Sequence, residues 1–410
     1  MTVMVRFPGS GERAVGDLLA QLTGEAAGAS LAVGDPRIRD FLADVSGRLL
    51  APAVARRYPE LASLGFFLRR AELDRMARQL IGESPTLVRV PRGLVFHVPP
   101  ANVDTVFVYS WALSALAGNR NVVRISSRAA GAAEAILDVL NESVTRADPI
   151  VGRTQVMITY GRDDEVTAAL SAACDLRVIW GGDRSVTELR RFPLSPLARD
   201  VVFPDRSSFA VLGVAGWRRA SAAERRAAVD GFANDVFWFD QAACSSPRAL
   251  YLVGAAGDAE GVFEEFRELF TAAVRRRGWT VDAAMAVEKR VRVYGAAADG
   301  HVTDLDFAGN EVAWLRLADP TQPPRGWLGA GVVPIARVDS LADLVPVIQR
   351  RDQTVSYFGF DLTELRDFVT AVGGRGIDRV VPFGQALSFA SVWDGYDLLT
   401  EFTRLTTLRG

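Results

Sequence analysis

The chain has 410 residues, of which 49% are hydrophobic and 23% are charged, and its formal net charge is −2. This length suits two domains with sizeable cores, and the slightly acidic balance argues against a nucleic-acid-binding surface, which needs a basic excess. Lys289 is the only lysine, so any anion site has to be built from arginine side chains.

The reactive side chains are few. There are two cysteines, Cys174 and Cys244, and two histidines, His97 and His301. Neither cysteine has a CxxC partner, so we expect neither a disulfide framework nor a metal site. The first residues lack a basic segment followed by an apolar one, and no run of 18 residues is uninterruptedly apolar. We therefore predict a cytoplasmic protein without a signal peptide or a membrane span.

Helix and strand patterns alternate along the first half of the chain. Apolar residues at helical spacing indicate helices, and short β-branched runs indicate strands. The predicted elements are helices over 35–83, strands at 87–91 and 93–97, a helix at 104–118, a strand at 121–125, a helix at 130–146, a strand at 154–159, a helix at 163–173, a strand at 176–180 and a helix from about 184. Alternation at this pitch indicates a parallel sheet with helices on both faces.

A second α/β unit follows in the sequence. Its predicted elements are a strand at 208–213, a helix at 221–235, a strand at 249–253, a helix at 258–277, loops and short strands over 296–332, a helix at 340–351 and a strand at 354–359. We predict an α/β fold of two three-layer domains, the first made of residues 1–215 and about 375–410, the second of residues 216–374.

Cys244 is the candidate nucleophile. The segment Asp240-Gln-Ala-Ala-Cys-Ser-Ser-Pro247 places it in a turn of small residues just before a predicted buried strand. A thiolate attacks an acyl carbon far better than a hydroxyl does. The alternative is a buried structural cysteine, and we assign that role to Cys174. Gln241 is a candidate for positioning the Cys244 loop.

A second candidate element is the turn His97-Val-Pro-Pro-Ala-Asn102, which lies between a predicted strand and a predicted helix. The amide of Asn102 can be aimed at a developing oxyanion, although an asparagine helix cap would look the same. His97 either orients this turn or packs in the core.

Two strand ends are candidates for binding a nucleotide. Polar residues at the carboxyl end of a strand and a Gly-Gly turn before a helix are both suited to phosphate groups. A plain turn without a ligand is the alternative for the Gly-Gly segment. The candidate residues are Arg124, Ser126 and Ser127 after one strand, and Gly181, Gly182, Asp183 and Ser185 after another.

Taken in order, these segments resemble the aldehyde dehydrogenase superfamily, and within it the acyl-CoA reductase branch that serves bacterial bioluminescence. The resemblance covers about residues 90–400. Its most specific part is the segment around Cys244, supported by 97–103, 180–183, 378–382 and 393–396.

The resemblance implies two Rossmann-like domains with the active site between them, in which residues 1–215 and about 375–410 bind the cofactor and 216–374 carry Cys244. It also implies that Cys244 is acylated and that Asn102 and the Cys244 N–H form the oxyanion hole. Arg124 stands where the dehydrogenases have a lysine that contacts the adenosine ribose. An arginine there, with the two serines that follow, favours NADPH, with NADH as the alternative. A homo-oligomer, dimer or tetramer, is implied as well.

A departure from the superfamily pattern indicates the direction of the reaction. Dehydrogenases that hydrolyse their thioester carry a glutamate base where this chain has Val202 or Phe203. Without that base an acyl-enzyme survives long enough to be reduced. We therefore expect NADPH-dependent reduction of an acyl-CoA, of a carrier-protein thioester or of an acyl group passed on by a partner protein.

Other functions remain open at this point. One is an NAD(P)-dependent aldehyde dehydrogenase that makes acids, and another is an inactive scaffold of the same fold. A third is a Cys–His acyltransferase or hydrolase, which needs His97 or His301 beside Cys244. The second superfamily glutamate, near the nicotinamide ribose, is also missing, and residues 327–331 occupy its region.

Overall fold

The computed structural model describes residues 1–24, 30–58, 60–82, 84–100, 106–127 and 131–409. The chain forms two compact units. Unit 1 consists of Met1–Pro204 and Phe389–Gly410, and unit 2 consists of Asp205–Ser388.

The strands of the described residues, in chain order, are β1 (Thr2–Phe7), β2 (Gly11–Ala14), β3 (Leu87–Pro91), β4 (Leu94–Val98), β5 (Arg120–Arg124), β6 (Gln155–Thr159), β7 (Leu176–Trp180), β8 (Arg199–Phe203), β9 (Ser207–Gly213), β10 (Pro247–Val253), β11 (Val302–Ala308), β12 (Val312–Leu317), β13 (Val332–Val338), β14 (Asp352–Phe358), β15 (Arg379–Pro382), β16 (Val392–Trp393), β17 (Tyr396–Asp397) and β18 (Thr403–Thr407).

The helices are α1 (Val15–Thr23), α2 (Pro36–Leu49), α3 (Pro52–Arg57), α4 (Leu61–Phe67), α5 (Arg70–Ile81), α6 (Val106–Leu116), α7 (Ala132–Val144), α8 (Pro149–Thr154), α9 (Asp164–Ala173), α10 (Asp183–Arg190), α11 (Val214–Arg219), α12 (Ala222–Phe237), α13 (Ala256–Arg277), α14 (Ala283–Ala298), α15 (Leu362–Val372) and α16 (Leu398–Glu401).

The main sheet of unit 1 has the strand order β2-β1-β6-β5-β4-β7-β8. Strands β4 to β8 run parallel, whereas β1 and β2 form an antiparallel edge. The chain starts the parallel part at β4, adds β5 and β6 on one side, and then adds β7 and β8 on the other. Such a reversal of strand order opens a crevice at the carboxyl ends of the central strands, where α/β proteins bind ligands.

Alternate residues of the unit 1 strands enter two separate cores, because successive side chains of a strand point to opposite faces. Val95, Val123 and Met157 pack with the helices α2 and α4 to α7. Phe96 and Val122 pack with α1, α9 and α10. Unit 1 is therefore a three-layer αβα sandwich. A separate ribbon in this unit pairs β18 with β3.

Unit 2 repeats this architecture with the strand order β11-β12-β13-β10-β9-β14-β15. All its strands are parallel except the edge strand β11. Leu250 and Leu252 of β10 pack beneath α12 and α13, whereas Tyr251 and Val253 face the core that contains α15. The predicted α/β fold of two Rossmann-like domains is confirmed.

The boundaries of the compact units differ from the predicted ones at 215/216 and about 374/375. Strand β9 pairs with β10 and β14, so the chain enters unit 2 about ten residues earlier than predicted. Strand β15 pairs with β14, so the return to unit 1 comes later, at Phe389.

The predicted helix at 340–351 is absent, and only a 3₁₀ turn, Leu341–Leu344, forms there. The start of a helix is present, since Ser340 and Asp343 make reciprocal capping hydrogen bonds. Pro346 follows within one turn; it lacks an N–H, and its ring clashes with the preceding turn of a helix. The proline therefore ends the helix before it can propagate.

Among the described residues, no helix combines the length and the apolar character that crossing a bilayer requires.

Candidate active site

Cys244 lies at the tip of a tight turn that leads directly into β10. Cys244 and Ser245 are the central residues of this turn, which is closed by a hydrogen bond from the N–H of Ser246 to the carbonyl of Ala243 at 3.1 Å. From the start of β9, the hydroxyl of Ser208 donates to the carbonyl of Cys244 at 2.7 Å. The Cys244 side chain is partly buried. The turn therefore holds the backbone of the predicted nucleophile in place while the side chain keeps some exposure.

The backbone just before this turn is strained. Residues 239–241 all adopt left-handed conformations, with φ of 57°, 52° and 59°, which cost a non-glycine residue roughly 1–2 kcal/mol each. Gln241 is buried, and its amide donates to the carbonyls of Pro247 at 2.7 Å and of Val332 at 3.0 Å. The indole N–H of Trp327 donates to the carbonyl of Asp240, the middle one of these three residues, at 2.8 Å. Gln241 thus connects the residues before and after the Cys244 turn.

Cys174 has a different environment. It is only 1% exposed, and its thiol donates to the carbonyl of Ser171 at 3.3 Å. Burial raises the pKa of Cys174 to about 12, so its thiol stays protonated and unreactive at neutral pH.

His97 is buried in β4 and has partners for both ring nitrogens. Nδ1 lies 2.9 Å from the hydroxyl of Ser110 in α6, and Nε2 lies 2.9 Å from Oδ1 of Asn121 in β5. The amide nitrogen of Asn121 donates to the carbonyl of Asn119 and to Oε1 of Gln155, so Oδ1 accepts and Nε2 carries the proton. His97 therefore has no free ring nitrogen with which to take part in a Cys–His mechanism. His97 instead links β4 to α6, on either side of the predicted Asn102 turn.

We expect His97 to make stability fall in acid. Burial lowers the pKa of His97 to about 4, below the value of about 6.5 for an exposed histidine. The unfolded chain therefore binds a proton that the folded chain does not, and roughly 3 kcal/mol of stability present above pH 6.5 should disappear as the pH falls to about 4.

Hydrogen exchange of β4 and β5 as a function of pH measures this effect. His97→Gln should remove the component of the pH dependence that falls between these values. His301→Gln, at an exposed position, should leave it unchanged. An identical acid response in wild type and His97→Gln would contradict the assignment.

The carboxyl ends of the unit 1 strands surround a cavity of about 830 Å³. Its lining combines Pro99 and Pro100 after β4, Arg124 at the end of β5, and the predicted turn residues Gly181, Gly182 and Ser185 after β7. The cavity occupies the crevice that the strand order predicts, and its volume is in the range of cofactor sites. The structure thus brings together most of the residues predicted to bind a nucleotide.

The Gly-Gly turn shapes one wall of this cavity. A Cβ atom on Gly181 would lie 3.2 Å from Cβ of Ser185, so a larger residue there would require Ser185 to shift by a few tenths of an ångström. Gly182 is the N-cap of α10, and no side chain caps the first turn of the helix. Backbone N–H groups at such a helix start are suited to a phosphate group.

Four arginines line the cavity. Arg124 donates to the carbonyl of Gly161 at 3.3 Å, and Arg191 forms an ion pair with Asp164 at 2.6 Å. Arg162 and Arg184 are exposed and make no hydrogen bond or ion pair with another described residue. The sequence interpretation missed these two, although Arg162 follows the carboxyl end of β6 by the same rule that selected Arg124.

Several predicted site residues do not line the cavity. Ser126, Ser127 and Asp183 are absent from its wall, and Ser127 is exposed. Asn102, the predicted oxyanion residue, lies outside the described residues. Within the described ranges, no group of three or more His, Cys, Asp or Glu side chains is arranged to hold a metal ion.

The strand predicted to lack a catalytic glutamate is β8. Phe203 is buried and stacks on Trp180, with ring centroids 3.6 Å apart. The carboxylate of β8, Asp200, is engaged by Arg177 through two hydrogen bonds of 2.8 and 3.1 Å, and Arg190 lies 3.5 Å from it. These ion pairs give Asp200 a structural role, because they tie β8 to β7 and to α10.

The chain is similar to proteins of known family. A family model described as acyl-CoA reductase (LuxC) matches residues 69–405. A long-chain acyl-protein thioester reductase of Aliivibrio fischeri is 23% identical over 72% of this chain and 59% of its own length. One from Photorhabdus laumondii is 23% identical over 77% of this chain and 63% of its own length. The chain thus spans about three fifths of the length of these relatives.

Aldehyde dehydrogenases are among the solved structures that share the fold. Aldehyde dehydrogenase 21 of Physcomitrella patens superimposes with a TM-score of 0.66 at 14% identity, covering 96% of this chain and 89% of the other. A salicylaldehyde dehydrogenase of Pseudomonas putida G7 gives 0.67 at 16% identity, covering 96% and 90%. The resemblance seen in the sequence is thereby confirmed: the chain belongs to the acyl-CoA reductase (LuxC) family and has the aldehyde dehydrogenase fold.

Proposed function

We propose that this protein reduces an activated acyl group, carried as acyl-CoA or as a carrier-protein thioester, to an aldehyde with NADPH through an acyl-Cys244 intermediate. The main observation is the Cys244 turn, which fixes the backbone of a partly exposed thiol by a turn hydrogen bond and by the Ser208 hydroxyl. The relatives are long-chain acyl-protein thioester reductases, which favours a long-chain acyl thioester as the substrate.

The first step is thiol exchange. The Sγ of Cys244, as a thiolate, attacks the acyl carbon and forms a new C–S bond, while the C–S bond to the carrier breaks and the carrier thiolate leaves and takes a proton from solvent. We assign stabilisation of the tetrahedral oxyanion to the amide of Asn102 and the N–H of Cys244. The clamp from Gln241 keeps the turn in the geometry that this attack requires.

The cavity of unit 1 fits a dinucleotide. It offers Arg124 and Arg162 for a 2′-phosphate and the N–H groups at the start of α10 for the pyrophosphate. The indole N–H of Trp180, which also lines the cavity, is buried without a hydrogen-bond partner among the described residues. When bound, the nicotinamide supplies the hydride that reduces the acyl group to an aldehyde.

Reduction is favoured over hydrolysis because β8 offers no base to activate water. Val202 and Phe203 are apolar, and Asp200 is held by Arg177. The acyl-enzyme is therefore expected to persist. The predicted homo-oligomer, the acyl-transferring partner protein and the cytoplasmic location remain predictions that belong to this proposal.

The direct test is an assay with acyl-CoA thioesters of increasing chain length and NADPH, following nicotinamide absorbance and aldehyde together. Consumption of NADPH with stoichiometric aldehyde supports the proposal. If aldehyde and NADP⁺ give acid while thioesters are not reduced, the protein is an acid-forming dehydrogenase. Absence of both reactions, together with no thermal shift on adding NADPH, would indicate a scaffold.

Arg124→Ala is expected to weaken NADPH use selectively. A hydrogen bond between charged groups contributes about 1.5–3 kcal/mol, so the KM for NADPH should rise roughly 10–100-fold while that for NADH changes little. Arg120→Ala, at the other end of β5, is the matched control and should affect neither cofactor. Equal losses with NADPH and NADH would contradict a role in binding the 2′-phosphate.

A further inference from the structure

Arg248 is the first charged residue after Cys244, on the strand β10 that the Cys244 turn enters. Its side chain is half-buried, and Nη1 donates to the carbonyl of Arg325 at 2.6 Å. That carbonyl is itself fixed in place, because the Arg325 guanidinium makes two hydrogen bonds to Asp352, at 2.9 and 3.0 Å. One edge of the Arg248 guanidinium is therefore anchored to the scaffold of unit 2.

The Nε of Arg248 is not anchored. It is inaccessible to solvent and has no hydrogen-bond partner among the described residues. A buried donor without a partner is costly, roughly 1–3 kcal/mol, so its presence next to a reactive turn calls for an explanation. Burial lowers the pKa of Arg248, and the charges of Cys244 and Asp205 counter that effect. The charge of Arg248 thus lies at the start of β10, on the strand that the Cys244 turn enters directly.

We propose that Arg248 is a positioning residue that stabilises the Cys244 side chain as a thiolate and thereby extends acylation to lower pH. The thiol proton goes to solvent, and the guanidinium keeps its own protons because arginine stays charged in proteins. A fixed positive charge favours the anionic form of a neighbouring thiol, and the thiolate is the nucleophile.

The neighbouring charges set the size of the effect. The Asp205 carboxylate, just before β9, has a negative charge that counteracts the positive charge of Arg248. Arg325 and Asp352 neutralise each other through their paired hydrogen bonds. Serines 208, 245 and 246 around the turn are uncharged. Arg248 therefore favours the thiolate form of Cys244, and Asp205 weakens this effect in part.

This inference rests on the proposed function of Cys244, but its test needs neither substrate nor cofactor. In a Cys174→Ala background, the rate of alkylation by iodoacetamide is measured between about pH 5 and pH 10, a range that spans thiol ionisation. The wild-type midpoint should lie below the value of about 8.5 for an unperturbed cysteine. A midpoint at or above that value would overturn the proposal, whatever the variants do.

The variants locate the cause. Arg248→Gln should raise the midpoint by about one unit or more, and Arg248→Lys should retain most of the wild-type value. Arg337→Gln is the matched control, because Arg337 also donates from Nη1 to a backbone carbonyl, that of Gly254, beyond the other end of β10. A midpoint that does not move in folded Arg248→Gln would contradict the proposal. If the protein shows these midpoints but does not reduce thioesters, the inference about Arg248 stands and only the proposed function is contradicted.

Discussion

Replacing Cys244 by alanine is expected to abolish the acyl-enzyme and to lower thioester reduction by about 10³-fold or more, since the loss of a covalent nucleophile is among the most damaging changes to an enzyme. The fold should survive, because Ser208 donates to the carbonyl of Cys244 and the turn hydrogen bond joins Ser246 to Ala243, so neither bond involves the sulfur. Mass spectrometry after mixing with an acyl thioester, without cofactor, reports the acylated residue directly.

Cys174→Ala is the matched control, because it removes the other thiol. Cys174 is buried and its pKa is about 12, so acylation and reduction should continue. Its cost is a small core cavity, which should lower thermal stability modestly. An acyl adduct on Cys174, or unimpaired reduction by Cys244→Ala, would show that the mechanism assigned to Cys244 is wrong.

Lys289→Met is expected to destabilise unit 2 by about 2–4 kcal/mol, since it leaves buried carbonyls without a donor. Lys289 is 1% exposed, and its ammonium donates to the carbonyls of Asn310 at 3.0 Å, Glu311 at 2.7 Å and Ala330 at 3.0 Å. Hydrogen exchange of α14 and denaturant titration measure the loss. Arg290→Met, the next residue on α14 and partly exposed, should cost much less.

The same lysine gives a pH dependence of known sign. Burial lowers the pKa of Lys289 to about 7, whereas an exposed lysine titrates near 10.4. Between these values the unfolded chain binds a proton that the folded chain lacks, so this group makes stability rise with pH across that window. Lys289→Met should lose the rise, and a slope that is the same in wild type and variant would exclude Lys289 as its source.

Much of the fold could be predicted from the sequence because its parallel strands are buried on both faces. The strand predicted at 176–180 matches β7, the strand predicted at 121–125 is shifted by one residue from β5, and the strand predicted at 154–159 begins one residue before β6. Buried strands appear as short apolar runs between polar turns, which is a strong local signal.

The errors come from elements whose signal is not local. The edge strands β1 and β2 and the exposed helix α14 were not predicted, because partly exposed elements carry a weak apolar pattern. The helix at 340–351 was predicted because the apolar spacing was given more weight than a proline, and that proline ends the helix in the structure. The boundaries of the units depend on which sheet β9 and β15 join, and pairing partners are not visible in a single sequence.

For the candidate site, the sequence indicated which residues are candidates better than it indicated which residues surround them. Cys244 and the Gly-Gly turn were selected from the sequence, and the structure places them in a hydrogen-bonded turn before β10 and in a cavity wall. Arg162 and Arg248 were missed because an arginine beside a strand is ordinary in a chain with so many. The cavity marks Arg162, and the combination of an unpartnered Nε with a position just after the Cys244 turn marks Arg248.

Unit 1 is built from two separate segments of the chain, and this affects the order in which the protein folds during synthesis. Strand β18 pairs with β3 more than 300 residues earlier, and the carbonyl of Phe402, a fully buried residue, accepts from the amide of Asn119 at 2.8 Å. Unit 2 is made of one continuous segment and can complete as it leaves the ribosome. Unit 1 has to wait with a gap in its core until residues 389–407 have been translated. A nascent chain therefore passes through a stage in which the Cys244 turn can already be formed while the unit with the arginine-lined cavity is still unfinished.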